Sequence, residues 1–190
     1  MDAPTNSLLA EAKHLLDDEK YEEALVCYLS LAEQGEPHAQ TMVGWIYQYG
    51  LGVQQCDKEA KKWYVLAAQS EYCSAEFYLG VLCMQNEDYE SGKNWYEKSA
   101  AHGYMPAVYR LAWIYQEGKG VNVDKDRAYE LFNKNAQDGH IFSQMAKAKI
   151  LLKGCRGPLG RLAGVYYYLK SKIQLPIVAF RNLDSDRVRP

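Results

Sequence analysis

Long hydrophobic runs are missing from this sequence of 190 residues. No stretch approaches the roughly 20 consecutive apolar residues that a membrane-spanning helix needs. The amino terminus, residues 1–6, also lacks a basic start followed by an apolar run, which argues against a signal peptide in this sequence. We therefore expect a cytoplasmic protein without membrane insertion, although a periplasmic protein trimmed of its signal would show the same pattern.

An excess of one charge is missing as well. Lys and Arg number 22 and Asp and Glu number 24, so the formal net charge is -2 and the sequence pI is about 6.1. Binding to nucleic acid requires a concentrated basic face that neutralises phosphates. The composition therefore excludes nucleic acid as an expected partner.

Paired cysteines are the third absence. The five cysteines are odd in number and irregularly spaced, and none forms a Cys-x-x-Cys pair; they are Cys27, Cys56, Cys73, Cys83 and Cys155. Zinc and redox sites usually show such pairs, and small secreted scaffolds usually show even, patterned cysteines. Reduced thiols are the expectation, in preference to a disulfide framework.

A set of catalytic residues is not visible either. The four histidines, His14, His38, His102 and His140, are scattered, whereas a metal site needs several convergent ligands. The pairs of glycines at 50 and 52 and at 118 and 120 follow helical patterns, and no third glycine or Gly-Lys-Ser/Thr completes a phosphate-binding loop. We expect no catalytic residue, no metal and no cofactor.

What the sequence does contain is an internal repeat. Residues 39–53 read AQTMVGWIYQYGLGV and residues 107–121 read AVYRLAWIYQEGKGV, sharing Trp-Ile-Tyr-Gln and a closing Gly-x-Gly-Val. Each is followed by a second helical pattern, at 58–68 and at 126–136. The unit is therefore a pair of helices.

Two further copies fit the same register. Residues 75–101 form a copy whose connecting loop, 86–88, is four residues shorter and lacks the glycines, and a degenerate copy begins at Ser143. The anchors Ala39, Ala75, Ala107 and Ser143 are thus 36, 32 and 36 residues apart. Lys147, at the usual leucine position, marks the fourth copy as the most divergent.

The predicted boundaries follow from this register and from an upstream helical pattern with a break near 17–20. They divide the chain into an opening helix pair, four repeats and a tail that caps the last repeat and is partly disordered: 1–38, 39–74, 75–106, 107–142, 143–173 and 174–190.

Small residues in the first helices predict close contact between the paired helices. Gly44, Gly80 and Ala112 take this role, with large residues one turn away facing the partner helix. The glycines at 50, 52, 118 and 120 predict a helix stop with positive φ followed by a turn.

The pattern Ala-x3-Leu-Gly-x2-Tyr-x2-Gly-x-Gly-Val, followed by Ala-x2-Trp-Tyr-x2-Ala-Ala, resembles the Sel1-like repeat, a relative of the tetratricopeptide repeat. The copy that begins at Ala39 matches it best, with Val43 in the leucine place. The resemblance covers about 39–173 and implies an all-α protein, a right-handed α-solenoid of about five antiparallel helix pairs. It is specific for the fold and weak for function.

The same resemblance implies a binding site. In tetratricopeptide-like repeats the first helix of each pair lines a concave groove. Applying the groove-lining positions of that family to the repeats of this sequence selects residues that are rich in aromatic side chains, as protein interfaces are. The selected residues are Thr41, Trp45, Gln48, Tyr49, Phe77, Val81, Met84, Gln85, Tyr109, Trp113, Gln116 and Glu117, with Phe142, Met145, Lys149 and Lys153 from the fourth repeat. The alternative is that Trp45 and Trp113 only pack between neighbouring first helices.

The resemblance implies a non-enzymatic adaptor or scaffold, of bacterial origin, that binds a partner protein or peptide in this groove. A first alternative is a bacterial immunity protein that neutralises a toxin. A second is an enzyme, because secreted cysteine-rich relatives bind or hydrolyse β-lactams; those relatives place paired cysteines in each repeat, which this chain does not do. The sequence leaves the oligomeric state open.

Overall fold

The computed structural model describes the backbone of residues 3–153 and 157–181 and the side chains of 5–153 and 157–173. Within these ranges the chain forms ten α-helices and no strand. The helices are α1 (Ala3–Asp17), α2 (Tyr21–Glu33), α3 (Pro37–Tyr49), α4 (Asp57–Ala68), α5 (Cys73–Gln85), α6 (Tyr89–Ala101), α7 (Met105–Glu117), α8 (Lys125–Gln137), α9 (Ile141–Leu152) and α10 (Gly157–Arg181).

The helix starts repeat with the spacing that the sequence predicts. The first helices of the four pairs begin at Pro37, Cys73, Met105 and Ile141, which are 36, 32 and 36 residues apart. The shortened loop is present, since only residues 86–88 separate α5 from α6. Cys155 lies outside the described residues, and Cys27, Cys56, Cys73 and Cys83 are free thiols.

The first compact unit, Met1–Ala107, contains α1 to α6. Its helices pair around a buried core that includes Ala24, Tyr28, Val43 and Ile46. Burial of these side chains, at roughly 25 cal/mol for each Å² of apolar surface removed from water, stabilises the unit.

Glycine sets the distance between paired helices in this unit. A methyl group added to Gly44 would come within 2.7 Å of the Tyr64 ring, and one added to Gly80 would come within 2.6 Å of the Tyr96 ring. Both distances are far below van der Waals contact, so each tyrosine lies directly against helical backbone. The prediction that Gly44 and Gly80 mark close contacts between helices is confirmed.

The glycine pairs end their helices as predicted. Gly50 and Gly52 both have φ of 65°, and Gly118 and Gly120 have φ of 71° and 70°. This left-handed conformation costs glycine little and other residues more. In the shortened loop Glu87 takes the same conformation, with φ of 61°, without being a glycine.

The second compact unit, Val108–Pro190, contains α8, α9 and α10 and most of α7. Ala112, Ala128 and Phe132 are fully buried in its core. Lys147 is buried too, and its ammonium nitrogen lies 3.7 Å from the centre of the Tyr167 ring. The cation–π contact explains how a lysine occupies the place of a core leucine in this repeat.

The predicted tail begins inside α10, because this helix continues to Arg181. Side chains from residue 174 onward and all of residues 182–190 lie outside the described residues, so capping by the tail stays a prediction. None of the described helices combines the length and the apolar character needed to cross a membrane.

Candidate binding surfaces on the first helices

In the first unit, Trp45 and Tyr49 form a small aromatic surface on α3. Their ring centres are 5.4 Å apart; Trp45 is half-buried, whereas Tyr49 is 49% exposed. Val81 on α5 is half-buried. These three residues are accessible, as the groove prediction requires.

Thr41 and Phe77 are not accessible, and their predicted exposure is wrong. Thr41 is 2% exposed, and its hydroxyl donates a 2.8 Å hydrogen bond to the Pro37 carbonyl one turn earlier in α3. Phe77 is 8% exposed because it packs against the rings of Tyr96 and Tyr104, at 5.5 and 5.3 Å.

Gln48 is also buried, and its predicted place in the groove is wrong. The Tyr64 hydroxyl donates to Gln48 Oε1 at 2.7 Å, and Gln48 Nε2 donates to Gln85 Oε1 at 2.9 Å. A buried tyrosine hydroxyl needs a hydrogen-bond partner, and Gln48 supplies it by turning toward α4.

Met84, one repeat later at the position of Gln48, faces its own partner helix in the same way. A methyl group added to Gly92 on α6 would lie 2.7 Å from the Met84 sulfur. This repeat position therefore belongs to the interface of the helix pair in both copies of the first unit.

In the second unit, the aromatic side chains of α7 lie on the buried ring of Phe132. The ring of Tyr109 is 5.8 Å from that of Phe132, the ring of Trp113 is 5.7 Å from it, and both contacts are edge-on. Tyr109 also contacts Phe142, at 6.2 Å between ring centres. Tyr109 and Trp113 are half-buried, so each presents part of its ring to the surface.

These rings line an open cavity of about 430 Å³. Three helices contribute to it: α7, α9 with the residue after it, and α10. The lining residues are Tyr109, Trp113, Phe142, Met145, Ala146, Lys149, Leu152, Lys153 and Tyr168. The volume falls in the range of ligand pockets, roughly 300–1,000 Å³.

The cavity joins an apolar interior to a basic edge. Phe142 is 55% exposed and Leu152 is 40% exposed, whereas Lys149 and Lys153 are exposed side chains whose ammonium groups supply the charge. No acidic residue occurs among the described residues that line it. A ligand that presents an apolar group beside a carboxylate matches this arrangement.

His140 supports the wall of this site. Its ring lies 5.3 Å from the Tyr109 ring and 5.9 Å from the Phe142 ring, and the backbone N–H of Ser143 donates to its Nδ1 at 3.2 Å. Burial lowers the pKa of His140 to about 4. The imidazole is therefore neutral at pH 7, which leaves Nδ1 free to cap α9.

The structure thus brings together six of the residues selected from the sequence: Tyr109, Trp113, Phe142, Met145, Lys149 and Lys153. Gln116 is half-buried and does not line the cavity. The groove prediction missed Leu152 and Tyr168. Counted from Ser143 and Ala107, Tyr168 occupies the repeat position of the buried Phe132, but Tyr168 is 42% exposed because its neighbour Tyr167 takes the position against Lys147.

The described residues give little support for a catalytic site or a metal site. No group of three or more His, Cys, Asp or Glu side chains there is placed to hold a metal ion. Burial, aided by nearby carboxylates, raises the pKa of Cys27 and of Cys83, which disfavours the nucleophilic thiolate.

The ten described helices, paired with a regular period, define the protein as an all-helical repeat solenoid. Family models of the Sel1 repeat match residues 37–72, 73–104 and 106–140, and the chain belongs to the Sel1 repeat family. The predicted resemblance and fold class are confirmed.

Among known proteins, an uncharacterised protein of Neisseria meningitidis serogroup B is 30% identical over 127 residues, which cover 66% of this chain and 26% of that protein. The crystal structure of a Sel1 repeat protein from Oxalobacter formigenes superposes with a TM-score of 0.72 and 30% identity, covering 80% of this chain and 62% of that one. A protective antigen of uropathogenic Escherichia coli, c5321, superposes with a TM-score of 0.53 and 25% identity, covering 90% of this chain and 46% of that one. The chain therefore spans about a quarter of the Neisseria protein's length and less than two thirds of each of these solved structures.

Proposed function

We propose that this protein is a non-enzymatic adaptor that captures a segment of a partner protein in the cavity of the second unit. The observation that carries the proposal is the cavity itself: Tyr109, Trp113, Phe142 and Met145 surround about 430 Å³ of accessible space. Sel1 repeat proteins are interaction scaffolds, which fits a binding role for this chain.

The composition of the cavity indicates what the segment looks like. Tryptophan, tyrosine, phenylalanine and methionine are the residues enriched at protein interfaces, and half-buried rings lose their remaining hydration when a partner covers them. Lys149 and Lys153 favour carboxylates next to the apolar anchor. The proposed ligand is a peptide segment with one large apolar side chain flanked by Asp or Glu.

The sequence predicts one aromatic groove along the first helices, and the geometry favours only the part of it in the second unit. In the first unit Trp45 and Tyr49 remain accessible, but burial of Phe77, Thr41 and Gln48 leaves their surface small. The proposed capture site is therefore confined to the second unit. The toxin-immunity and β-lactam hypotheses stay predictions, since no observation on the described residues favours either.

Selection of peptides from a random 12-residue phage library tests this proposal. We expect the enriched peptides to share an aromatic or large aliphatic residue with adjacent acidic residues. Their affinity should fall at least about tenfold in the Lys149→Glu/Lys153→Glu variant, because reversed charges repel the acidic flanks.

The matched control is Lys134→Glu, which reverses the charge of an exposed lysine on α8 outside the cavity and should leave the affinity unchanged. Circular dichroism confirms that each variant keeps its helical content. Peptides that bind the cavity variant as tightly as the unaltered protein would overturn the proposal.

A further inference from the structure

The outer face of α10 carries an apolar stripe that is exposed in the part of the chain that the structure describes. Five large side chains recur at alternating spacings of three and four residues, and each is more than half exposed; they are Leu159 (81%), Leu162 (69%), Tyr166 (60%), Leu169 (55%) and Ile173 (68%). We call this set the outer stripe. None of its members lines the cavity of the second unit.

The opposite face of α10 already holds the helix in place. Ser171 is fully buried, and a methyl group added to Gly164 would come within 3.0 Å of the Leu152 backbone nitrogen on α9. Tyr167 covers the buried Lys147. The outer stripe is therefore not needed to dock α10 onto α9, and none of the described residues buries it.

The spacing of the outer stripe points to a helix as its partner. Alternation of three and four residues keeps apolar side chains on one seam of a helix, which is the pattern of a and d positions in coiled coils. The stripe runs from Leu159 to Ile173, which is 14 residue steps or roughly 21 Å at a rise of 1.5 Å per residue. An amphipathic helix of about the same length would cover it.

Charge decides which helix fits. Over Gly157–Arg181, α10 contains Arg161, Lys170, Lys172 and Arg181 and no Asp or Glu. With Leu159 at an a position, Lys170 and Lys172 fall at the e and g positions beside the seam, where charges set partner choice. The α10 of a second copy packed through the same stripe would offer these lysines no Asp or Glu, so an acidic partner is favoured over self-association.

We propose that the outer stripe binds an acidic amphipathic helix of a partner protein, with apolar residues on the seam and Glu or Asp at the flanking positions. The surface is distinct from the cavity, so the two inferences stand or fall separately. Together they would let one chain hold two partners at once.

A pair of designed peptides tests this inference on the full chain. Both have 21 residues with Leu at every a and d position; one has Glu at e and g, and the other has Lys there. Each repels itself at neutral pH. Fluorescence anisotropy of labelled peptides should show the acidic peptide binding at least about tenfold more tightly than the basic one, with an affinity that weakens as salt is added.

Two variants locate the binding. Leu162→Gln/Leu169→Gln should reduce the affinity at least about tenfold without unfolding the protein, because both side chains are exposed. Lys170→Glu/Lys172→Glu should reverse the preference toward the basic peptide. Lys134→Glu, at an exposed lysine of α8 outside both the outer stripe and the cavity, is the control and should change neither affinity.

Three outcomes would overturn the inference. One is equal binding of the acidic and basic peptides, and another is no binding of either. The third is a dimer in light scattering that the Leu162→Gln/Leu169→Gln variant abolishes, since the stripe would then be an interface between copies of this chain.

Discussion

Thr41 and Phe77 in the first unit occupy the repeat position that Tyr109 occupies in the second, two residues after the anchoring alanine. In the first unit both are buried, and Phe77 packs against the rings of Tyr96 on α6 and Tyr104 in the following loop. In the second unit Tyr109 is half-buried and lines an open cavity. The same repeat position thus lies in the core of the first unit and at the surface of the second.

A second difference between the units, at the repeat position of Gln48, follows from the partner helix. In the first unit Gly44 and Gly80 let Tyr64 and Tyr96 approach the backbone, and the Tyr64 hydroxyl draws Gln48 inward. In the second unit Ala112 and Phe132 replace the glycine and the tyrosine, so no hydroxyl is present to recruit a polar side chain. Repeat position alone therefore does not decide exposure; the residue opposite does.

The largest effect should come from removing the ring beneath the cavity. Phe132→Ala deletes a fully buried side chain that supports both Tyr109 and Trp113, and should reduce the free energy of unfolding by about 3–5 kcal/mol. Urea denaturation followed by circular dichroism measures the loss.

Phe142→Ala is the matched control, because Phe142 is 55% exposed and lines the same cavity. It should cost less than about 1 kcal/mol. Equal losses for the two variants would mean that Phe132 is not the support of the cavity.

A smaller effect should come from the hydroxyl that organises the first unit. Tyr64→Phe leaves Gln48 Oε1 buried without its 2.7 Å donor, which should reduce the free energy of unfolding by about 1–3 kcal/mol. The same denaturation assay applies. Tyr49→Phe, at a 49% exposed tyrosine of α3, is the control and should change stability by less than about 0.5 kcal/mol.

Should Tyr64→Phe prove neutral, the inward turn of Gln48 would not depend on that hydroxyl. The contrast between the two units would then need another cause, such as the hydrogen bond between Gln48 and Gln85.

The repeat made much of the fold predictable. The period, the short loop at 86–88, the left-handed glycines and the close contacts at Gly44 and Gly80 all follow from residue types whose backbone or packing requirements are local. It was less predictable which residues of α10 face α9. Lys147 on α9 contacts the ring of Tyr167 rather than that of Tyr168, and such a contact between helices does not show in the periodic pattern of the sequence.

The candidate site was predictable only in part for the same reason. Helical offsets select Tyr109, Trp113 and four residues of the fourth repeat, and these six residues line the cavity. They fail for Gln48 and Phe77, whose burial depends on Tyr64, Tyr96 and Tyr104 rather than on repeat position, and for Thr41, which is buried as well. Side chains across an interface decide such cases, and a periodic pattern does not encode them.

The most direct test of the proposed capture site compares two tryptophans, Trp45 and Trp113, that occupy the same repeat position. Isothermal titration calorimetry with a library-selected peptide should show at least about a 30-fold loss of affinity for Trp113→Ala, as expected of an interface hot spot worth 2 kcal/mol or more, and no loss for Trp45→Ala. Loss of affinity in Trp45→Ala with retained binding in Trp113→Ala would contradict the assignment of the capture site to the second unit.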